Sequence, residues 1–143
     1  MSTHTVFPSA WAQKKLQQSD NENWVEEKCG GFPYYYRYVK ENDAKSHNKP
    51  TLECEVTFHM TALEQGDVVC IEPTDFTMKL GAAMRGVQDL LLQMVEGDKI
   101  EAIFPETLTF PGSGKGDVYV EIELKKLTYY TGIQFVKAFG KDE

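Results

Sequence analysis

The sequence predicts an α+β domain: a mostly antiparallel, twisted sheet of about five to six strands wrapped on one short α-helix, with an extension at each terminus. Three runs carry this reading. LECEVTFH, residues 52–59, alternates, with Leu52, Cys54, Val56 and Phe58 on one face and Glu53, Glu55, Thr57 and His59 on the other. That is the pattern of a half-buried antiparallel strand. DVYVEIELKKL, residues 117–127, alternates more cleanly still, with Val118, Val120, Ile122 and Leu124 together. GAAMRGVQDLLLQMVEG, residues 81–97, is the one strong helical pattern. Met84, Val87, Leu91 and Met94 form an apolar stripe with Leu90 beside it, while Arg85, Gln88, Asp89 and Gln93 fall largely opposite.

The other elements follow in chain order. Residues 1–31 form a polar arm with apolar points at Val6, Phe7, Trp11, Leu16, Trp24 and Val25. Within it PSAWAQKKLQQ reads as a short helix with Ser9 as N-cap. Docking of the arm onto its own domain is favoured over docking onto a partner. Gly30-Gly31 punctuates the arm, FPYYYRYVK reads as an aromatic strand and ENDAKSHNKP as a loop. After MTALEQG come two short strands, DVVCI and DFTMKL. Gly97 stands where a left-handed C-cap would close the helix, and DKIEAIF resumes alternation with Ile100, Ala102 and Phe104 inward. PETLTFPGSGKG is a loop, and the tail TYYTGIQFVKAFGKDE reads as one more strand or a docked aromatic segment. The boundaries are therefore an arm over 1–31, a domain over 32–127 and an extension over 128–143.

Composition excludes several function classes. A chain of 143 residues has the size of one domain and can bury a core. Its formal net charge of −7 argues against nucleic acid, whose phosphates need exposed Lys and Arg, and against an anionic membrane surface. Cys29, Cys54 and Cys70 are too few and too far apart for a disulfide framework or a zinc site, so reduced thiols are expected. No apolar run matches a signal peptide or a membrane span, and the N-terminus is not a clear transit peptide. The expectation is an intracellular location, cytoplasmic or within an organelle, in a reducing compartment.

Motifs for covalent, acid–base or metal chemistry are missing. PGSGKGD lacks the spacing and following helix of a phosphate loop. His4, His47 and His59 share no metal-ligand spacing, and no serine sits in a nucleophile elbow. No cofactor and no metal are implied.

The order of the pieces carries more. FTMKLG, then RGVQDLLLQMVEGDK, then a strand ending in Pro105, then VEIELKKL resemble the F-x-F-x-L-G, R-G-W-x-x-G-x-x-x-M-x-x-G-x-K and V-F-x-V-E-L-x-x-L patterns of the FKBP-type peptidyl-prolyl cis-trans isomerases. The resemblance covers roughly residues 32–127 and implies the FKBP fold. It also implies a chemistry that needs few reactive groups. Rotation about a peptide bond is opposed by about 18–20 kcal/mol of resonance. An apolar, aromatic-walled pocket lowers this by excluding water and favouring the twisted amide.

By the resemblance, the pocket would comprise Phe58, Val69, Cys70, Phe76, Ala83, Met84, Val87, Phe110 and Val120. Phe76 keeps the first aromatic of F-x-F and Met78 replaces the second. Phe110 keeps the ring of a loop Tyr without its hydroxyl, and the Met84 backbone N–H is the expected donor to a substrate carbonyl. Val87 replaces the Trp of the pocket floor, Val69 an aromatic wall, Cys70 an Asp and Val120 a Phe. Counting back from Gly66 without gaps puts His59 at the family's strand Tyr, whereas alternation puts Phe58 there; alternation is preferred, since a one-residue slip inverts the strand. The loop between Phe110 and Val118 is also shorter than the family's flap. Each lost aromatic wall removes contact worth on the order of 1–3 kcal/mol.

The expected function is thus that of an FKBP-fold protein resembling a peptidyl-prolyl isomerase, with weak or lost activity. It would act through protein contacts as a scaffold, chaperone-like module or assembly subunit. Its partner would be a protein or a proline-containing peptide segment, with no nucleic acid and no membrane insertion. Trp11, Trp24, Tyr129, Tyr130, Phe135 and Phe139 are residue types that interfaces favour, and equally types that cap a sheet's own edges. An active isomerase with a remodelled proline pocket is the alternative, and an unrelated α+β binding domain the third reading.

Overall fold

A computed structural model describes residues 7–18, 24–42 and 49–129. The expectations for the tail from Tyr130 onward, including Phe135 and Phe139, lie outside these residues, as does most of the 41–50 loop. The described chain forms α1 (Ala10–Gln18), β1 (Val25–Cys29), β2 (Phe32–Lys40), β3 (Glu55–Glu64), β4 (Val68–Lys79), α2 (Arg85–Leu91), β5 (Lys99–Phe104) and β6 (Val118–Thr128). One-turn 3-10 helices follow β4 at Leu80–Ala82 and β5 at Glu106–Leu108.

All six strands join one sheet in the order β1-β2-β5-β6-β3-β4, and every neighbouring pair is antiparallel. The period-2 pattern sets which face is buried. Val56, Phe58, Met60 and Ala62 of β3 are at most 3% exposed, and they oppose Leu127, Leu124, Ile122 and Val120 of β6. Across β6, Ile122 and Val120 meet Ile100 and Ala102 of β5. The helix covers this face with buried Val87, Leu90 and Leu91, so the apolar stripe of α2 and the inward strand positions make one core. Tyr34 of β2 ties the two layers: its fully buried ring packs on Phe104, and its hydroxyl donates to Asp89 of α2 at 2.5 Å.

Four local readings change. Residues 25–29, grouped by the sequence with the arm, are an edge strand in register with β2. DVVCI and DFTMKL are one strand, because register shifts opposite Met60, Ala62 and Leu63 absorb the irregularity that looked like a break. The 52–59 strand begins only at Glu55, leaving Leu52 44% exposed in the preceding turn. The helix stops at Leu91, and the next N–H groups, of Gln93 and Met94, bond only three residues back. Gly97 therefore caps no helix. Its φ of +96° turns the chain into β5, and its N–H donates to Leu124 O at 2.8 Å.

The arm docks on its own domain. Ser9 Oγ accepts the Ala12 N–H at 3.2 Å, the bond expected of an N-cap, while the Ser9 N–H donates to Asp117 at 2.7 Å. Asp67 accepts from Trp11 Nε1 at 3.2 Å and pairs with Lys15 at 2.7 Å, and Lys15 also lies 5.2 Å over the Tyr119 ring. Phe7 stacks on Tyr35. Tyr35 and Tyr119 alternate with inward residues, so α1 covers the sheet face opposite α2. Trp24 lies under the Arg37 guanidinium, and the Tyr129 hydroxyl donates to the Lys49 carbonyl.

Candidate functional site

Where β3 and β4 run side by side, Phe58 and Phe76 are direct partners. Their rings stack with centroids 5.5 Å apart and planes at 26°. The next inward residue on each strand is a methionine, Met60 on β3 and Met78 on β4. Beyond β4 the 3-10 turn is pinned by the Leu80 N–H to Cys54 O at 2.8 Å and the Gly81 N–H to Leu52 O at 3.0 Å. This turn delivers Ala82 and Ala83 beside Met84 and Val87 at the start of α2. The eight side chains line an apolar cavity of about 150 Å³ that opens to solvent.

Two features fix its floor. Gln88 Nε2 donates to the carbonyls of Ala83 at 2.7 Å and Gly81 at 3.2 Å, holding the turn against α2. Gly86 allows the helix to lie directly on β5, since a Cβ there would meet the Phe104 ring at 2.5 Å. Val87 is 1% exposed, at the base of the cavity.

Of the nine positions named from the sequence, Phe58, Phe76, Ala83, Met84 and Val87 come together here. The other four do not line the cavity. Val69 pairs with Leu63 near the hairpin turn and is 46% exposed. Cys70, half-buried close by, has its thiol pushed up by burial and then by the charge of Glu64. Val120 opposes Ala62 and Ala102 in the sheet centre, one inward pair past the Met60–Ile122 row that reaches the cavity. Phe110 packs on the core with the Lys115 ammonium 5.5 Å over its ring. His59 points to the opposite face, its Nδ1 2.7 Å from Asp75. The nine positions omit Met60, Ala82 and Met78, although the motif comparison places Met78 at the second aromatic of F-x-F. The alternation that selects Phe58 and Phe76 also selects both methionines, whereas nothing in the sequence marks Ala82.

Chemically the arrangement can bind but offers no acid, base or nucleophile, because the lining holds no titratable side chain. The perturbed groups lie elsewhere. Burial, followed by the hydrogen bond to Asp89, pushes up the Tyr34 phenol behind α2, and burial with Glu101 does the same to Tyr119 on the far face. Burial pushes the Tyr38 phenol up to about 12. Among the described residues no group of three or more His, Cys, Asp or Glu could hold a metal ion, and no helix is long and apolar enough to cross a membrane.

No family model matches the chain, and no curated protein matches it. Solved structures do. FkpA from Escherichia coli superposes with a TM-score of 0.67 at 12% identity over 84% of this chain, which spans 58% of the FkpA chain. A peptidyl-prolyl cis-trans isomerase from Pseudomonas syringae pv. tomato gives a TM-score of 0.64 at 14% identity, covering 90% of this chain and all of that one. The three FKBP domains of wheat FKBP73 give 0.57 at 16% identity, over 66% of this chain and 44% of that one. The chain has the FKBP fold.

Proposed function

We propose that the chain binds short apolar, proline-containing segments of a protein partner in the cavity over α2, with weak or no isomerisation, and works by contact as a scaffold, chaperone-like module or assembly subunit. The observation that carries this is an all-apolar cavity of about 150 Å³ at the face of an FKBP fold. An apolar space of roughly 150 Å³ is large enough for a benzene-sized ring. That suits one prolyl ring or one apolar side chain, while the Met84 N–H at the rim would donate to a peptide carbonyl.

Weak catalysis follows from what the walls can distinguish. Rotation is accelerated only by contacts that favour the twisted amide over the planar one. Here Phe58 and Phe76 stack side by side on the sheet, and Val87 supplies a few methyl contacts where a large aromatic plane would offer many. Planar and twisted forms are then held about equally, which gives binding without turnover. The alternative, an active isomerase with a remodelled pocket, is favoured by the persistence of the cavity itself, since the reaction demands shape rather than acids or bases.

A protease-coupled assay with a proline peptide, run beside a binding titration, decides between them. The expected result is turnover near background and binding that Phe76→Lys and Met84→Lys abolish. Turnover well above background, lost in the same variants, establishes the alternative. Binding indifferent to both variants removes the cavity from the function.

A further inference from the structure

Three of the chain's five methionines line the cavity. Met60 is buried, at 3% exposure, whereas Met78 and Met84 are half-buried. Resting on the binding role proposed above, we infer that this site recognises an apolar side chain of an extended protein segment by adaptable fit and does not require proline: leucine, methionine and phenylalanine enter as well as the prolyl ring.

The stiffness of the walls decides which guests fit. Selectivity for a compact, puckered five-membered ring needs rigid surfaces on more than one side of it. The rigid pair here, Phe58 and Phe76, is stacked at 5.5 Å, so it forms one continuous wall rather than two facing ones. Met60 and Met78 extend that wall along the same two strands, and Met84 comes to it from the start of α2 with the small side chains of Ala82, Ala83 and Val87. Methionine is unbranched and polarisable, with three rotatable bonds, and it refills irregular gaps around differently shaped guests. Surfaces built this way discriminate poorly among apolar partners. The lining also has no polar side chain to hold the tertiary amide of an X–Pro bond in a fixed orientation. What remains is the removal of apolar area from water, which leucine, methionine and phenylalanine supply as readily as proline does.

The test uses the full chain and one peptide varied at a single position through Pro, Leu, Met, Phe and Ala, with affinities measured by calorimetry. Leu, Met and Phe peptides are expected within about threefold of Pro, and Ala about tenfold weaker, as fits loss of a buried side chain. A Pro peptide tenfold or more tighter than both Leu and Met overturns the inference. The variant Met78→Ile/Met84→Ile keeps volume but stiffens the wall, so it tests the mechanism itself. It is expected to widen the spread across the series at least fivefold, and an unchanged spread refutes adaptable fit. Absence of binding to every peptide, or binding that Met84→Lys leaves intact, refutes the site reading as well.

Discussion

Gly86→Ala is the sharpest probe of how α2 is seated. Gly86 is the second residue of the helix, and its φ is not positive, so alanine fits the backbone and helix propensity favours it by up to about 1 kcal/mol. Space decides the sign. A Cβ placed there lies 2.5, 2.7 and 2.9 Å from three carbons of the Phe104 ring. Phe104 is fully buried, tilted at 5.0 Å against Tyr34, and Tyr34 is itself bonded to Asp89 on α2. The ring therefore cannot turn aside without disturbing the link that holds the helix. Overpacking of this kind costs about 1–3 kcal/mol. A 2.5 Å contact against a ring that cannot turn belongs to the upper part of that range, about 2–3 kcal/mol, so after the propensity gain a net loss of about 1–2 kcal/mol remains, or a Tm lowered by roughly 3–8 °C in a chain of this size. Urea unfolding followed by tryptophan fluorescence measures it, with a lower midpoint and an unchanged slope expected. Adding Phe104→Leu makes room for the methyl group, so the double variant should be less destabilised than the sum of the singles by at least 0.5 kcal/mol, on the order of couplings between touching residues. A Gly86→Ala protein as stable as its parent would refute the close seating of α2 on β5.

Two further outcomes concern the docked arm. Ser9→Ala removes the acceptor for the Ala12 N–H and should lower stability by about 0.5–2 kcal/mol, read by urea unfolding, with Ser9→Asn restoring most of it. Burial raises the Asp117 carboxyl above its usual value, outweighing the hydrogen bonds from Ser9. The folded state thus holds that proton more tightly than the unfolded chain. This contribution is fully present below the ordinary carboxyl range and is lost as pH rises through the raised value. Asp117→Asn, which keeps an acceptor for the Ser9 N–H, should flatten that part of the stability–pH curve; a curve of unchanged shape would show that Asp117 does not titrate there.

Much of the fold was legible because side-chain alternation and burial are one physical fact read twice. Cys54, Val56 and Phe58 were placed inward and are at most 2% exposed. The same logic chose Phe58 over His59, and His59 indeed faces Asp75 on the other side of the sheet. Counting across irregular backbone reaches residues that do not line the cavity. Placing Val69 and Cys70 from Gly66 ignored a turn in which Asp67 itself has a φ of 61°, followed by register shifts in the strand pair. Val120 and Phe110 were positioned by analogy alone, and a pattern does not report how far along a strand a cavity extends. Helix length was overread for a related reason: Met94 continues the apolar stripe and is fully buried, but it reaches the core from a turn beyond the last helical residue.

Among the described residues the sheet is open, and its two outer strands have consequences of their own for the chain's company. A strand with an unpaired side is a template on which any extended segment can add itself. On β1 that border carries Glu26, Glu27 and Lys28, all exposed, so a copy laid alongside in register would place like charges near one another. On β4 the border is interrupted by Pro73, which has no N–H to offer, and flanked by exposed Glu72, Asp75 and Lys79. Both margins of this sheet thus resist extension by a further strand, while the cavity stays open on the inner face.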